Sequence, residues 1–340
     1  MTEREAEIAA FLSAVGWSDA VRRPLAGDAS ARRYDRLLRA QPPQNAVLMD
    51  APVESGETVE PFLKIARFLR RAGLSAPLIY NESAASGLIL MEDLGDGLYA
   101  KLCAENPGIE HELYENAVDV LIALHSVAPP TDLQLYSSAV YLREARLLVD
   151  WYLPAATGQQ STDRVKREFS ELLNAACRDL PGDHSVCVLR DYHAENLLWL
   201  PNRIGLARVG QLDFQDALLG HPAYDLVSLL EDARRDTDTS LQENMISRYL
   251  EKTELDEQDF RASFAALGAQ RNLKIIGIFT RLCVRDAKQP YVDLIPRVWA
   301  HLMQDLAHSN LSDLKNFVES HVPAPSDEVL NMIRNAENEA

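Results

Sequence analysis

Two short apolar runs, Leu197–Leu200 and Leu206–Leu212, flank the segment Pro201-Asn202-Arg203-Ile204-Gly205. Proline, asparagine and glycine in five residues favour a tight reversal, so the runs read as the arms of a β-hairpin. The outer ends of those arms carry polar chemistry. Asp191-Tyr192-His193-Ala194-Glu195-Asn196 enters the hairpin and Leu212-Asp213-Phe214 leaves it. Asn196 and Asp213 lie at comparable distances from the turn, so pairing of the arms brings an amide and a carboxylate together at the open end. Both are hard oxygen ligands, suited to a magnesium ion that bridges ATP phosphates. Asp191, on the loop entering the hairpin, is the candidate to take the proton of an attacking hydroxyl. His193 reads as structural support for that loop, because phosphoryl transfer depends on positioning more than on extra acid–base groups.

Other chemistries have weaker signatures. Asp191-x-His193 with Asp213 lacks the second histidine cluster of a hydrolytic metal centre. No G-x-S-x-G elbow marks a serine hydrolase of that type. Cys103, Cys177, Cys187 and Cys283 are scattered without C-x-x-C spacing and read as small buried hydrophobes.

Around the hairpin the hydrophobic period changes along the chain. The first third predicts a helix over Glu5–Val15, strands at Arg32–Leu38 and Ala46–Met49, a helix over Val59–Ala72, and a strand pair at Leu78–Tyr80 and Leu88–Met91. Gly27-Asp28-Ala29-Ser30 precedes the first strand as a turn, and Glu92-Asp93-Leu94-Gly95-Asp96-Gly97 reads as a hinge. Helical spacing then dominates, beginning with Glu112–His125. The expected architecture is α+β in two lobes, 1–93 with an antiparallel sheet and a larger, mainly helical 94–340. At 340 residues, two packed bodies suit the chain better than one core.

Charge narrows the class of partner. Thirty-four Lys and Arg stand against 51 Asp and Glu, a formal net charge of −17. Such a chain repels phosphate backbones and anionic membranes, so neither nucleic acid nor a membrane is expected as a partner. No apolar run reaches the roughly 18 residues needed to span a bilayer. The acidic first residues lack a signal-like core, and a cytoplasmic protein is expected.

The segment Asp191-Tyr192-His193-Ala194-Glu195-Asn196 with Leu212-Asp213-Phe214 is similar to the H-G-D-x-H-x-x-N and I-D-F/W motifs of the aminoglycoside phosphotransferase and choline kinase family. Gly220-His221-Pro222-Ala223-Tyr224-Asp225-Leu226 resembles the same family's G-x-P-x-x-D-L-A segment. Gly27–Tyr34, Leu48–Pro52, Met91–Asp96, Gln270–Phe279 and Pro296–Trp299 resemble its bacterial anomeric kinases of N-acetylmuramate and N-acetylglucosamine. The resemblance implies a protein-kinase-like fold, ATP and magnesium as cofactors, and Asp225 as a brace for the catalytic loop. It also implies adenine contacts from the backbone of Glu92 and Leu94. Gly27 and Ser30 would cap phosphate oxygens. The pattern departs at Leu189 and Arg190, where the family has His and Gly, and at Met49, where it places a phosphate-binding lysine. A thioether cannot neutralise phosphate, and Arg33 is the expected substitute.

Arg271, Lys274, Arg281 and Arg285 recur at helical spacing. Such a stripe is usually a solvated face. Here Arg271 and Lys274, joined by Arg234, are the candidates to bind a carboxylated amino sugar, the best-matching small-molecule acceptor. Two rivals stay open: a kinase of aminoglycosides or choline-like alcohols, and a nucleotide-binding pseudokinase acting as a scaffold.

Overall fold

The computed structural model describes residues 2–25, 32–40, 43–53, 56, 58–178, 180 and 185–336. By packing, Met1–Val127 with Ala194–Ala217 form one compact unit, and Ala128–His193 with Leu218–Ala340 form a second. The expected division into 1–93 and 94–340, drawn from the change of hydrophobic period and the hinge at 92–97, stays a proposal.

The first unit opens with α1 (Glu3–Ala14), started by Thr2, whose hydroxyl accepts from the Glu5 N–H at 3.2 Å. Strands β1 (Val21–Pro24), β2 (Arg33–Ala40) and β3 (Pro43–Asp50) follow. Then come α2 (Glu60–Arg71), β4 (Ile79–Ser83) and β5 (Leu88–Glu92). The five strands form one antiparallel sheet in the order β1-β2-β3-β5-β4. Period-2 alternation sends Leu37, Ala46, Leu48, Leu88 and Leu90 to one face, where they bury against Ile8, Leu12 and Trp17. Val47, Met49, Ile89 and Met91 take the opposite face and are buried as well. Helices α3 (Tyr99–Glu105) and α4 (Glu110–His125) close the N-terminal part of this unit.

The second unit begins with α5 (Ser138–Ala145), a π-helical turn at Leu148–Tyr152, α6 (Leu153–Thr157), α7 (Asp163–Arg178) and β6 (Val186–Val188). The chain then adds the hairpin β7 (Leu197–Trp199) and β8 (Val209–Gln211) to the first unit. Returning to the second unit, β9 (Leu218–Gly220) pairs with β6 and leads into α8 (Ala223–Leu230), α9 (Thr239–Thr253) and α10 (Glu257–Asp286). Helices α11 (Ile295–Asp305), α12 (Ser312–His321) and α13 (Asp327–Asn335) complete it. The α+β fold class expected from the period change is what the chain adopts. Among the described residues no helix is long and apolar enough to cross a membrane.

Helix α10 is the axis of the second unit. Its 30 residues are buried on nearly every side between Phe260 and Cys283, as a helix without a dominant polar face must be. Gly277 lets the chain at Leu147 lie directly on it, since a Cβ there would sit 2.3 Å from the Leu147 carbonyl carbon. Gly277→Ala should therefore cost at least about 1–3 kcal/mol, read as a lower midpoint of denaturant unfolding.

This helix also bridges a buried carboxyl pair, Glu231 at the end of α8 and Asp305 at the end of α11, through Asn272. Asn272 Nδ2 donates to Glu231 Oε2 at 2.7 Å and to Asp305 Oδ2 at 3.0 Å. Burial pushes Glu231 up to about 7; burial and the neighbouring Glu231 carboxyl push Asp305 well above its ordinary range. Both groups titrate higher in the folded than in the unfolded chain. The folded chain therefore keeps protons that the unfolded chain releases, and stability falls as pH rises from about 4 through about 7. Asp305→Asn, nearly isosteric, should flatten that decline and raise stability at pH 8, measured as unfolding midpoints across pH 5–8.

Candidate active site

In the first unit, β7 and β8 pair antiparallel with Leu197 opposite Gln211, Leu198 opposite Gly210 and Trp199 opposite Val209. A 3-10 turn at Gly205–Arg208 takes up part of the run expected as the second arm, so β8 starts later than the apolar pattern implied. The ladder continues past the strands: the Leu212 N–H donates to the Asn196 carbonyl at 2.9 Å. Asn196 and Asp213 thus flank the same open end, as the spacing requires.

Asp213 sits at φ +55°, in the left-handed region that a β-carbon disfavours. Gln215, two residues on and buried, holds its carboxylate by donating from Nε2 to Oδ1 at 2.6 Å. Phe214 between them stacks on Phe62 of α2 with ring centroids 4.9 Å apart. Among the described residues no three His, Cys, Asp or Glu side chains gather as a metal cluster. Two hard oxygen donors are what the hairpin end offers, and they fit magnesium, which takes few protein ligands when phosphates and water supply the others.

The segment expected to bind adenine is fixed from both sides within this unit. Arg36 of β2 reaches Asp93 Oδ2 at 2.8 Å and Asp96 Oδ1 at 2.8 Å. Arg203, from the hairpin turn, reaches Glu92 Oε1 at 2.5 Å and the Ser75 hydroxyl at 2.7 Å. The Leu94 side chain packs with Leu198, Leu200, Leu98 and Leu212 in a small buried apolar cluster that anchors this segment.

Arg33 lies away from the position it was expected to serve. It pairs in register with Asp50, so its side chain projects to the face shared by Asp50, Leu48 and α1. There its Nη2 lies 2.6 Å from Asp50 Oδ2, beside Arg4, which also binds Asp50 at 2.6 Å. Met49 is fully buried on the other face. The geometry weighs against Arg33 as the stand-in for a lysine at 49. Gly27 and Ser30 lie outside the described residues.

In the second unit, Leu189-Arg190-Asp191 turns sharply, with Arg190 at φ +73°. Asp225, fully buried near the start of α8, holds the turn by accepting from the Leu189 N–H at 2.7 Å and the Arg190 N–H at 2.8 Å. Burial raises Asp225 to about 7, while those two N–H groups work in the other direction. Burial also opposes the charge of Asp191, but Lys274, His193, Arg190 and Arg271 outweigh it and hold the carboxyl below its usual range. Burial lowers His193, against the pull of Asp232 and Asp191, and leaves the ring neutral at neutral pH. That suits a structural histidine.

The three expected acceptor cations divide. Arg271 is buried and spends its guanidinium on the Ser228 hydroxyl at 2.9 Å and the Glu231 carbonyl at 3.2 Å, joining α10 to α8. Lys274 lies 3.3 Å from Glu144 Oε2. Arg234 is partly exposed, beside Asp232, whose Oδ1 accepts from the Arg234 backbone N–H at 2.9 Å. Glu144 and Tyr136 carry no local motif and were not legible in the sequence; Tyr224 falls on an unspecified position of the Gly220–Leu226 segment. Gln215 lies two residues from Asp213 and was within reach of a closer reading of that motif.

A two-lobed kinase-type fold carrying an Asp-x-His-x-x-Asn loop and a metal-suited hairpin defines a phosphotransferase. The family model of the phosphotransferase enzyme family (APH) matches residues 21–262, and the chain belongs to that family. It is 39% identical to a Caulobacter vibrioides N-acetylmuramate/N-acetylglucosamine kinase, covering 95% of this chain and 98% of that protein. A Pseudomonas aeruginosa kinase of the same name is 34% identical over 82% of each. Among solved structures, the ADP-bound aminoglycoside phosphotransferase APH(2'')-Ib shares the fold with a TM-score of 0.59 at 16% identity, covering 88% of this chain and 96% of that one.

Asp225→Ala should remove a charged acceptor from two N–H groups at once and cost at least about 2 kcal/mol, measured by chemical denaturation.

Proposed function

We propose that the chain transfers the γ-phosphate of ATP to the anomeric hydroxyl of N-acetylmuramate or N-acetylglucosamine. The observation that carries phosphoryl transfer is the register of the hairpin, which brings Asn196 and Asp213 to one end. The choice of acceptor rests on near-full-length identity to the kinase of that name from Caulobacter vibrioides.

In this reading Asn196 and Asp213 hold the magnesium ion, and Gln215 fixes the rotamer of Asp213 through its Oδ1. Bound magnesium neutralises phosphate charge as it develops in the transition state. Asp191 accepts a hydrogen bond from the acceptor hydroxyl and takes its proton as the bond to phosphorus forms. A carboxyl held ionised is ready for that step at neutral pH. The backbone of Glu92 and Leu94 would orient adenine. Gly27 and Ser30 are assigned to the phosphates by the family resemblance. Arg234 and Lys274 remain the candidate contacts for an acidic acceptor.

Incubation with ATP, magnesium and each sugar should yield the anomeric phosphate, identified by phosphorus NMR. Asp191→Asn should lower turnover roughly 10²–10⁴-fold with little change in nucleotide affinity. Asp213→Ala should weaken magnesium-dependent ADP binding, read by calorimetry. Turnover of aminoglycosides or choline in place of both sugars would move the acceptor assignment within the family.

A further inference from the structure

Behind the Asp191 loop lies a polar cluster that the proposed reaction does not yet use, contained within the second unit. Glu144, near the end of α5, is its centre. Its Oε1 accepts from Arg190 Nη2 at 2.5 Å, and its Oε2 accepts from the Tyr136 hydroxyl at 2.5 Å and lies 3.3 Å from Lys274 Nζ. Tyr136 gives its one proton to Glu144, so the Tyr224 hydroxyl, 2.9 Å away, supplies the proton between the two rings. Lys274 Nζ approaches that Tyr224 oxygen at 3.5 Å. Arg190 also lies over the Tyr136 ring, 5.3 Å from its centroid.

Burial makes this arrangement selective. The Glu144, Arg190 and Lys274 side chains are 13%, 17% and 11% exposed, so water screens them little and each needs a protein partner. Arg190, Lys274 and Arg271 are cations whose charge reaches Asp191, and the neutral His193 ring and Asp225 of α8 face it as well. Glu144 itself is faced by Arg190 from the loop, Lys274 from α10, Tyr136 and Tyr141 from the segment around α5, and Tyr224 from α8.

We propose that Glu144 is a positioning residue for Asp191, anchoring Lys274 and the Arg190 side chain, whose backbone leads directly into the catalytic carboxylate. Deleting the Glu144 charge removes that anchor from both cations. Lys274, on a flexible four-carbon stem, can then shift toward Asp191 and compete with the acceptor hydroxyl for its oxygens. The inference rests on the reading of Asp191 as the acceptor-facing base.

Its test is the pH dependence of sugar phosphorylation in three variants, with the fold of each checked by thermal unfolding. Glu144→Gln adds net positive charge around Asp191, so the acid limb of turnover should move to lower pH by roughly half a unit to one unit. The plateau should fall roughly 10–100-fold with the Michaelis constant for ATP unchanged. Lys274→Met removes a cation, and its acid limb should move to higher pH. The double variant restores the local charge balance and should return the limb near the wild-type position. A purely structural role for Glu144 would lower the plateau and leave both limbs in place. If Glu144→Gln does not fold, Glu144→Asp keeps the charge and should keep the limb while lowering the plateau. Limbs that stay fixed, or that move in the same direction, overturn the inference even where Asp191→Asn is inactive. Wild-type turnover in Asp191→Asn would instead remove the Asp191 reading beneath it.

Discussion

The two N–H groups that Asp225 receives, from Leu189 at 2.7 Å and Arg190 at 2.8 Å, are the constraint on which the chemistry of the second unit hangs. Leu189 directly follows β6, and a chain leaving a strand with Arg190 in left-handed geometry has backbone groups that no ladder can satisfy. A carboxylate already buried in α8 meets both. The turn then fixes where Asp191 begins, and the Arg190 side chain falls back onto Glu144 and Tyr136. A strained residue held from one side by its backbone and from the other by its side chain has little freedom left. That is the condition a proton-accepting carboxylate needs if its direction is to survive substrate binding.

The first unit solves a similar problem differently. Asp213 also has a positive φ, but its hold is local: Gln215 on its carboxylate and Phe214 stacked on Phe62. Arg203 and Arg36 then tie residues 92–96 to the hairpin turn and to β2. Side chains from two sequence-distant places therefore set the segment proposed to face adenine. A substitution in the hairpin turn acts on that segment as well as on the metal-suited end.

Features written in short-range spacing were legible from the sequence. The Pro201–Gly205 reversal announced a hairpin, which forms with a longer turn than expected, and Asn196 and Asp213 flank its open end. Alternation in β3 and β5 and the apolar face of α2 likewise placed those elements within a few residues of their observed ends. What the sequence concealed was side-chain direction and long-range pairing. Arg33 adjoins the expected phosphate loop in sequence, yet its register with Asp50 turns it to the face opposite Met49. Glu144 lies 46 residues from Arg190 and carries no motif, so only the folded chain shows that they meet.

The basic stripe on α10 shows how one pattern can carry two meanings. Arg271, Lys274, Arg281 and Arg285 share a helical face by spacing, and a solvated stripe was the ordinary expectation. Helix α10 is longer than the core around it, so both ends reach the surface, Glu257–Asp259 at the start and Arg285, paired with Asp286, at the finish. The middle runs through the interior, and there Arg271 and Lys274 are buried against Ser228, Glu231 and Glu144. A chain with a net charge of −17 thus keeps these two cations inside, beside Asp191, where low dielectric magnifies them. Their field acts first on that carboxylate. An anionic acceptor arriving nearby would therefore meet cations already partly neutralised, and its affinity should depend on how tightly Glu144 holds Lys274.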